Sequence, residues 1–104
     1  MIKSIYSKIP KELSRELIEN IASSNEIKIE RIISKGHKTP KDSWYNQDKR
    51  EFVLLIKGSA ELLFYPNKLV KMKEGDYIII PAHKKHRVEN TSTKTETIWL
   101  TVFY

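Results

Sequence analysis

The sequence predicts an all-β domain preceded by a short N-terminal helix. Short runs rich in Val, Ile, Tyr, Phe and Trp predict strands, and turn formers separate them every ~8 to 12 residues, a spacing typical of an antiparallel sandwich or barrel. An earlier segment instead repeats its apolar residues at intervals of three and four, which predicts a helix. The 104 residues suffice for one domain with a single core.

The predicted helix lies within residues 9–22. Its apolar face consists of Leu13, Leu17, Ile18 and Ile21. Pro10 suits the first turn of a helix, where its missing N–H is tolerated, and the Ser-Ser-Asn sequence at residues 23–25 supplies a stop. We therefore expect a helical N-terminal extension over residues 1–25 and the β domain over residues 26–104.

Seven strands are predicted downstream of the helix. The first strand covers residues 27–33, where Ile27, Ile29 and Arg31 alternate with Lys28 and Glu30 before Ile32 and Ile33, the period of two that a half-buried strand requires. The other six strands cover residues 51–57, 60–65, 69–73, 77–81, 86–90 and 97–103. Gly58 and Gly75 fall between strand pairs, where a tight turn requires the positive φ that glycine adopts without strain.

Composition limits the functional classes. The formal net charge is +6, but the lysines are scattered among acidic and apolar residues, which predicts a solvated basic surface and no nucleic-acid interface. The chain has no cysteine and no apolar run near the ~20 residues that span a membrane. We therefore expect a cytoplasmic protein without a membrane or nucleic-acid partner. Lys84, Lys85 and Arg87 surround His86 in sequence, which leaves open a positive field that attracts an anionic ligand.

Two spaced motifs carry the functional argument. The first reads Glu51-x6-Gly58, and the second reads Gly75-x5-Pro81-x-His83-x2-His86-x3-Asn90. This pattern resembles the two sequence motifs of the cupin family, which implies a cupin jelly-roll β-barrel. The second motif is complete except that His83 takes the place of its inner glycine. In the first motif, Tyr45 and Gln47 stand where the family carries two metal-binding histidines.

The resemblance implies that the barrel interior brings Tyr45, Gln47, Glu51 and His86 together. Cupins hold one divalent metal there on three histidines and a glutamate, and only Glu51 and His86 match that ligand set. Gln offers a weak amide oxygen, and Tyr must lose a proton to become a good ligand. Two alternatives therefore remain open: a divalent transition metal (Fe, Mn, Ni or Zn) held by these four residues, or a metal-free cluster that binds an organic ligand.

Side-chain parity adds detail to this site. Tyr45, Gln47 and Glu51 share one parity, and His86, Val88 and Asn90 share another, so each set is expected on one strand face. Of the remaining candidates, Trp44 and Trp99 are expected to line a pocket for a flat or sugar-like ligand. His37 is expected in a solvent-exposed loop, and His83 is expected to point away from the site unless residues 81–85 form a turn over the barrel mouth.

The resemblance extends over roughly residues 26–104 to small single-domain bacterial cupins, a group in which a Trp-Tyr-x-Gln segment replaces the first-motif histidines. It supplies a fold and a pocket without a substrate. We expect a protein that binds a small polar or anionic ligand around Glu51 and His86. The alternative is a metal-dependent oxygenase or isomerase with Glu51 and His86 as ligands and Tyr45 as proton donor. The apolar C-terminal strand, together with the common pairing of cupins, predicts a homodimer.

Overall fold

Eight antiparallel strands form two sheets in the computed structural model, which describes all 104 residues. The strands are β1 (Leu17–Ser23), β2 (Lys28–Ser34), β3 (Glu51–Lys57), β4 (Ser59–Phe64), β5 (Lys68–Lys73), β6 (Tyr77–Ile80), β7 (His86–Thr91) and β8 (Thr97–Phe103). One sheet has the order β1-β2-β8-β3-β6 and the other β5-β4-β7. The all-β jelly-roll prediction is confirmed, and the seven predicted strands are found with nearly the expected limits.

The expected N-terminal helix is not found, because residues 17–23 pair as strand β1 with β2. Leu17 lies opposite Ile33, and the two strands form an antiparallel hairpin. The register shifts beside Ile21, which becomes the extra residue of a β-bulge. Leu17 and Ile18 pair with Ile33 and Ile32 and lie on opposite faces of the strand, and Ile21 lies in the bulge, so their helical spacing does not reflect one common face. Sheet pairing overrides the local helical pattern here.

The core lies between the two sheets and determines where the functional side chains point. Along β3, Glu51, Val53 and Leu55 are buried, while Phe52 and Leu54 face the other way. Val53 and Leu55 belong to the main apolar cluster of the protein. Because side chains on one strand face recur every two residues, the carboxylate of Glu51 enters the interior beside these core residues.

A single glycine turns the chain between β3 and β4. Gly58 has a φ of +92°, in the region that disfavours other residues. A Cβ atom at this position would overlap Oγ1 of Thr97 and approach the backbone oxygen of Glu96 to 3.0 Å. The predicted requirement for glycine is therefore confirmed, and it combines backbone conformation with close packing against β8.

The outer face of the five-stranded sheet is largely apolar. The strand register aligns side chains in two rows across β6, β3 and β8. One row consists of Tyr77, Leu54 and Leu100, and the other of Ile79, Phe52 and Val102. Tyr77 and Ile79 are exposed, and the ring of Tyr77 lies 5.5 Å from that of Phe52. This part of the face therefore presents a continuous apolar surface to solvent.

Towards β2, the N-terminal segment covers the same outer face. The buried guanidinium of Arg31 donates to the backbone oxygens of Ile5 at 2.9 Å and Ser7 at 2.7 Å. It also forms an ion pair with Glu19 of β1 at 2.5 Å. Arg31 thus ties the segment before β1 to the sheet. The structure contains no helix of the length and apolarity needed to cross a membrane.

Candidate functional site

A cavity of about 250 Å3 lies between the two sheets. Its apolar walls are formed by Ile18, Ile32, Val53, Leu62, Ile80, Val88, Trp99 and Phe103. Its polar lining consists of Glu16, Lys28, Glu30, Tyr45, Gln47, Glu51, His86 and Thr101. The four residues predicted as the functional centre therefore converge on one cavity.

Glu51 and His86 form the buried centre of the polar lining. Glu51 Oε1 lies 3.4 Å from His86 Nε2, and the side chains are 11% and 7% exposed. This distance suits an ion pair, although the contact does not form a hydrogen bond to Glu51 Oε1. The two groups come from different sheets, since β3 carries Glu51 and β7 carries His86. The pairing across the barrel is thus a product of the fold.

Hydrogen bonding fixes how His86 carries its protons. Its Nδ1 donates to the backbone oxygen of Lys84 at 2.8 Å, so Nε2 bears a proton only in the imidazolium form. Burial alone lowers the pKa of His86, but the contact with Glu51, the bond to Lys84 and the charge of Glu51 outweigh it. The pKa of His86 is therefore raised above 6.5, which favours an imidazolium facing a carboxylate.

Backbone hydrogen bonds hold the loop that carries Tyr45 and Gln47 against the start of β7. Tyr45 and His86 exchange two backbone hydrogen bonds of 2.7 and 3.1 Å. The backbone N–H of His83 donates to the backbone oxygen of Gln47 at 2.6 Å. These bonds position the first-motif residues although no regular strand runs through residues 44–50.

The phenol of Tyr45 stays protonated. Burial raises the pKa of Tyr45, and the charges of Glu16 and Glu51 raise it further, against the opposing effect of a hydrogen bond with Thr39. The ring of Tyr45 lies 5.7 Å from that of His86. Tyr45 therefore offers the cavity a neutral hydroxyl at its half-exposed rim.

Three buried oxygen atoms of this lining have no hydrogen-bond partner: Gln47 Oε1, Glu51 Oε1 and Thr101 Oγ1. Thr101 is 2% exposed and lies on β8 opposite Val53, so it is a diagonal neighbour of Glu51 on the same sheet face. An unpaired buried polar group costs roughly 1–3 kcal/mol. The free protein therefore keeps unfavourable polar groups at one end of an apolar cavity.

Sequence reasoning missed four polar residues of the cavity: Glu16, Lys28, Glu30 and Thr101. The alternation of β2 could have revealed two of them, because Lys28 and Glu30 share parity with Ile32, which also lines the cavity. The ammonium of Lys28 lies 3.6 Å from Glu30, whose side chain is 14% exposed. Glu16 accepts a hydrogen bond of 2.9 Å from Ser34. The cavity is thus richer in carboxylates than the motifs alone indicated.

Two aromatic candidates take different places. Trp99 is buried and lines the cavity, as expected. Trp44 does not line it: its ring packs edge-on against Tyr65 at 5.3 Å and beneath Arg87 at 4.6 Å. The loop at residue 44 turns this indole away from the interior, so the expectation for Trp44 is corrected.

The two other histidines lie outside the cavity. His83 has a φ of 65°, the left-handed conformation expected where the motif carries glycine. Its exposed side chain contacts Asn46 at 3.3 Å. His37 accepts a hydrogen bond from the backbone N–H of Lys35 and is only partly exposed.

Asn90 also departs from its predicted position. The pairing of β7 with β4 shifts between Val88 and Asn90, so Glu89 is the extra residue of a β-bulge. Val88 lines the cavity, whereas Asn90 is exposed and contacts Glu61 at 3.5 Å. The bulge reverses the side of the sheet to which Asn90 points, which parity alone did not predict.

The donor set fits a divalent transition metal poorly. The structure contains no group of three or more His, Cys, Asp or Glu side chains that could hold a metal ion. Glu51 and His86 supply one carboxylate and one imidazole, and Gln47 adds only an amide oxygen. The raised pKa of Tyr45 opposes the deprotonation that would make it a good ligand. These side chains therefore do not supply the ligand set that a divalent transition metal requires.

Two antiparallel sheets packed face to face around a central cavity are typical of a jelly-roll barrel. The cupin domain model matches residues 30–103, and the chain belongs to the cupin family. No curated protein matches the sequence.

Several solved structures are similar to this chain. A protein of Ralstonia eutropha, provisionally named a mannose-6-phosphate isomerase, is 31% identical, with 99% of this chain and 96% of that chain covered and a TM-score of 0.94. A cupin superfamily protein of Desulfitobacterium hafniense is 19% identical, with coverages of 91% and 82% and a TM-score of 0.75. A cupin family protein with a double-stranded β-helix fold from Methanocaldococcus jannaschii is 18% identical, with coverages of 99% and 91% and a TM-score of 0.72. The last two likenesses concern the fold alone.

Proposed function

We propose that this cupin binds a small polar molecule inside its barrel, around Glu51 and His86. The observation that carries the proposal is the convergence of Gln47, Glu51, His86 and Thr101 on one largely apolar cavity. A concave apolar site with a few convergent polar groups is the usual form of a small-molecule site. A volume of about 250 Å3 limits the ligand to the size of a small metabolite.

The energetics of the site support the same proposal. Polar atoms without partners destabilise the free protein, and a ligand that engages them recovers that free energy on binding. Trp99, Val53 and Leu62 supply apolar contact for the remainder of the ligand. Binding to the folded state alone would then raise the melting temperature with ligand concentration.

A thermal-shift screen of small metabolites tests the proposal. We expect at least one compound to raise Tm in a concentration-dependent way, and Gln47→Ala to abolish the shift. Asn90→Ala is the matched control, because Asn90 is exposed and lies outside the cavity. A screen in which no compound stabilises the wild type, or in which both variants lose the shift equally, contradicts the proposal.

The similarity to the Ralstonia eutropha protein supports a second candidate, a metal-dependent sugar-phosphate isomerase. In this reading Glu51 and His86 hold the metal and the Tyr45 hydroxyl donates a proton to the substrate. The poor donor set argues against it. To test the isomerase candidate, the purified protein is incubated with mannose 6-phosphate and added Mn2+ or Zn2+, and the ketose product is assayed. Turnover that is lost in both Glu51→Ala and His86→Ala would favour the isomerase over simple binding.

We also propose that the protein forms a homodimer through the outer face of β6, β3 and β8. Exposed Tyr77 and Ile79 lie beside partly exposed Phe52 and Leu54 on this face. A continuous apolar patch of this kind is unusual on a monomer. A second copy, which carries the same patch, can cover it in a symmetric pair.

A further inference from the structure

The polar end of the cavity contains two buried acceptor oxygens without a hydrogen-bond partner, Glu51 Oε1 and Gln47 Oε1. His86 Nε2 lies 3.4 Å from Glu51 Oε1 and faces it as a charge partner without forming a hydrogen bond. Glu51 is 8% exposed, so bulk water does not replace the missing donor. The Nδ1–H group of His86 is already engaged by the backbone oxygen of Lys84. A ligand that donates hydrogen bonds therefore complements this lining better than one that accepts them.

Charge favours the same kind of ligand. The cavity lining carries the carboxylates of Glu16, Glu30 and Glu51 against two cationic groups, the ammonium of Lys28 and the imidazolium of His86, and His86 is already paired with Glu51. This ammonium is half exposed at the rim, lies 3.6 Å from Glu30 and sits 4.8 Å from the ring centre of Phe103. The cavity is thus acidic although the whole chain carries a formal charge of +6. The charge of the cavity lining is therefore opposite in sign to the net charge of the chain.

The basic residues next to His86 in sequence do not offset this charge. Lys85 lies over the ring of Tyr65 at 5.1 Å, and Arg87 lies over Trp44 at 4.6 Å. Arg87 also pairs with Glu89 at 3.0 Å. None of these groups lines the cavity. An anionic ligand would therefore meet three carboxylates, and the one cationic group in the interior, the imidazolium of His86, already faces Glu51.

We propose that the ligand is a small primary amine whose ammonium group binds between Glu51 and Gln47. An ammonium has three donors and no acceptor, which matches a lining of unpaired acceptors and excess negative charge. The apolar body of the amine packs against Trp99 and Val53. The proposal rests on the proposed function, and it names the ligand class for the same site.

Engaging the ammonium requires only small side-chain motions. Glu51 Oε1 and Gln47 Oε1 are closed off from solvent in the free protein. The terminal torsions of Glu and Gln are soft, so rotation of the carboxylate and the amide turns these oxygens towards the cavity. The aromatic rings of Tyr45 and Trp99 in the same lining add favourable cation–π surface.

Three probes with one carbon skeleton test the ligand class: cyclohexylamine, cyclohexanol and cyclohexanecarboxylate, titrated at pH 7 by calorimetry. We expect the amine to bind at least about tenfold more tightly than the alcohol, since hydrogen bonds to a charged group are the stronger ones, and the carboxylate not to bind. Glu51→Gln and, independently, Glu30→Gln should weaken amine binding. Glu61→Gln, on β4 outside the cavity, should leave it unchanged.

The possible outcomes separate this inference from the proposed function. If cyclohexanol binds as tightly as cyclohexylamine, or if the carboxylate binds best, the amine proposal is overturned while the cavity remains a ligand site. If no probe binds and no compound in the metabolite screen stabilises the protein, both proposals are overturned. Loss of amine binding in Glu61→Gln as well as in Glu51→Gln would also overturn the assignment to this cavity.

Discussion

Replacing Thr101 by valine should stabilise the free protein. The hydroxyl of Thr101 is buried, at 2% residue exposure, and has no hydrogen-bond partner. Valine has nearly the same shape and no polar atom, so the substitution removes an unmet hydroxyl at little steric cost. Relief of such a group contributes roughly 1–3 kcal/mol. At the lower end, about 1 kcal/mol, Tm should rise by about 4–8 °C for a domain of this size.

Thr91→Val is the matched control. Thr91 is as buried, at 3% exposure, but its hydroxyl donates to the backbone oxygen of His37 at 2.6 Å. The same chemical change here breaks a hydrogen bond and leaves a carbonyl unpaired, which should cost roughly 1–3 kcal/mol. The two Thr→Val variants should therefore shift stability in opposite directions.

Thermal and urea unfolding of the two variants measure this difference. An unchanged m-value would confirm that stability, and not the compactness of the unfolded chain, has changed. If Thr101→Val lowers Tm as much as Thr91→Val does, the Thr101 hydroxyl has a partner in solution. The free site would then not contain an unpaired hydroxyl at Thr101, contrary to the structure.

Three further predictions follow from the fold and its electrostatics. The pKa of His86 is raised in the folded state. The extra stability of the wild type over His86→Gln should therefore be fully present below about pH 6.5 and fall as the pH rises through the folded pKa. A stability difference that stays constant from about pH 5 to 9 would contradict the ion pair. Gly58→Ala should cost at least about 2 kcal/mol in urea unfolding, and more than Gly75→Ala. Both glycines have positive φ, but a Cβ atom at Gly58 would overlap Thr97, whereas a Cβ atom at Gly75 would meet no atom within 4 Å; equal losses would contradict this steric explanation. Light scattering should show that the wild type is a dimer and that Ile79→Lys is a monomer. Leu69 is exposed on the other sheet, so Leu69→Lys should remain a dimer. A monomeric wild type would contradict the proposed interface.

Local patterns predicted most of the fold because each strand is bounded by a turn whose residues have a specific conformational role. Gly58 and Gly75, both at positive φ, are found where the sequence required them. Two of the errors involve a β-bulge. The extra residues Ile21 and Glu89 interrupt the period of two, which obscured the strand pattern of β1 and placed Asn90 on the wrong face.

The site could be predicted only where motif spacing and sheet geometry agree. Glu51 and His86 lie at inward positions at the starts of β3 and β7, before the irregularity in either strand, and both are in the cavity. Trp44 lies in an irregular loop, where no periodicity determines the direction of a side chain. The acidic character of the cavity depends on Glu16 and Glu30, which face it from elements far from the motifs. The acidic character of the cavity therefore depends on tertiary contacts that the local sequence does not reveal.

The two indole groups of the protein offer the most direct test of the cavity as the binding site. The chain has two tryptophans, of which Trp99 lines the cavity and Trp44 lies outside it. In a 15N–1H correlation spectrum recorded during titration with cyclohexylamine, the Trp99 indole signal should shift to saturation while that of Trp44 stays in place. A titration that moves Trp44 and leaves Trp99 unchanged, or moves neither signal, would contradict the account.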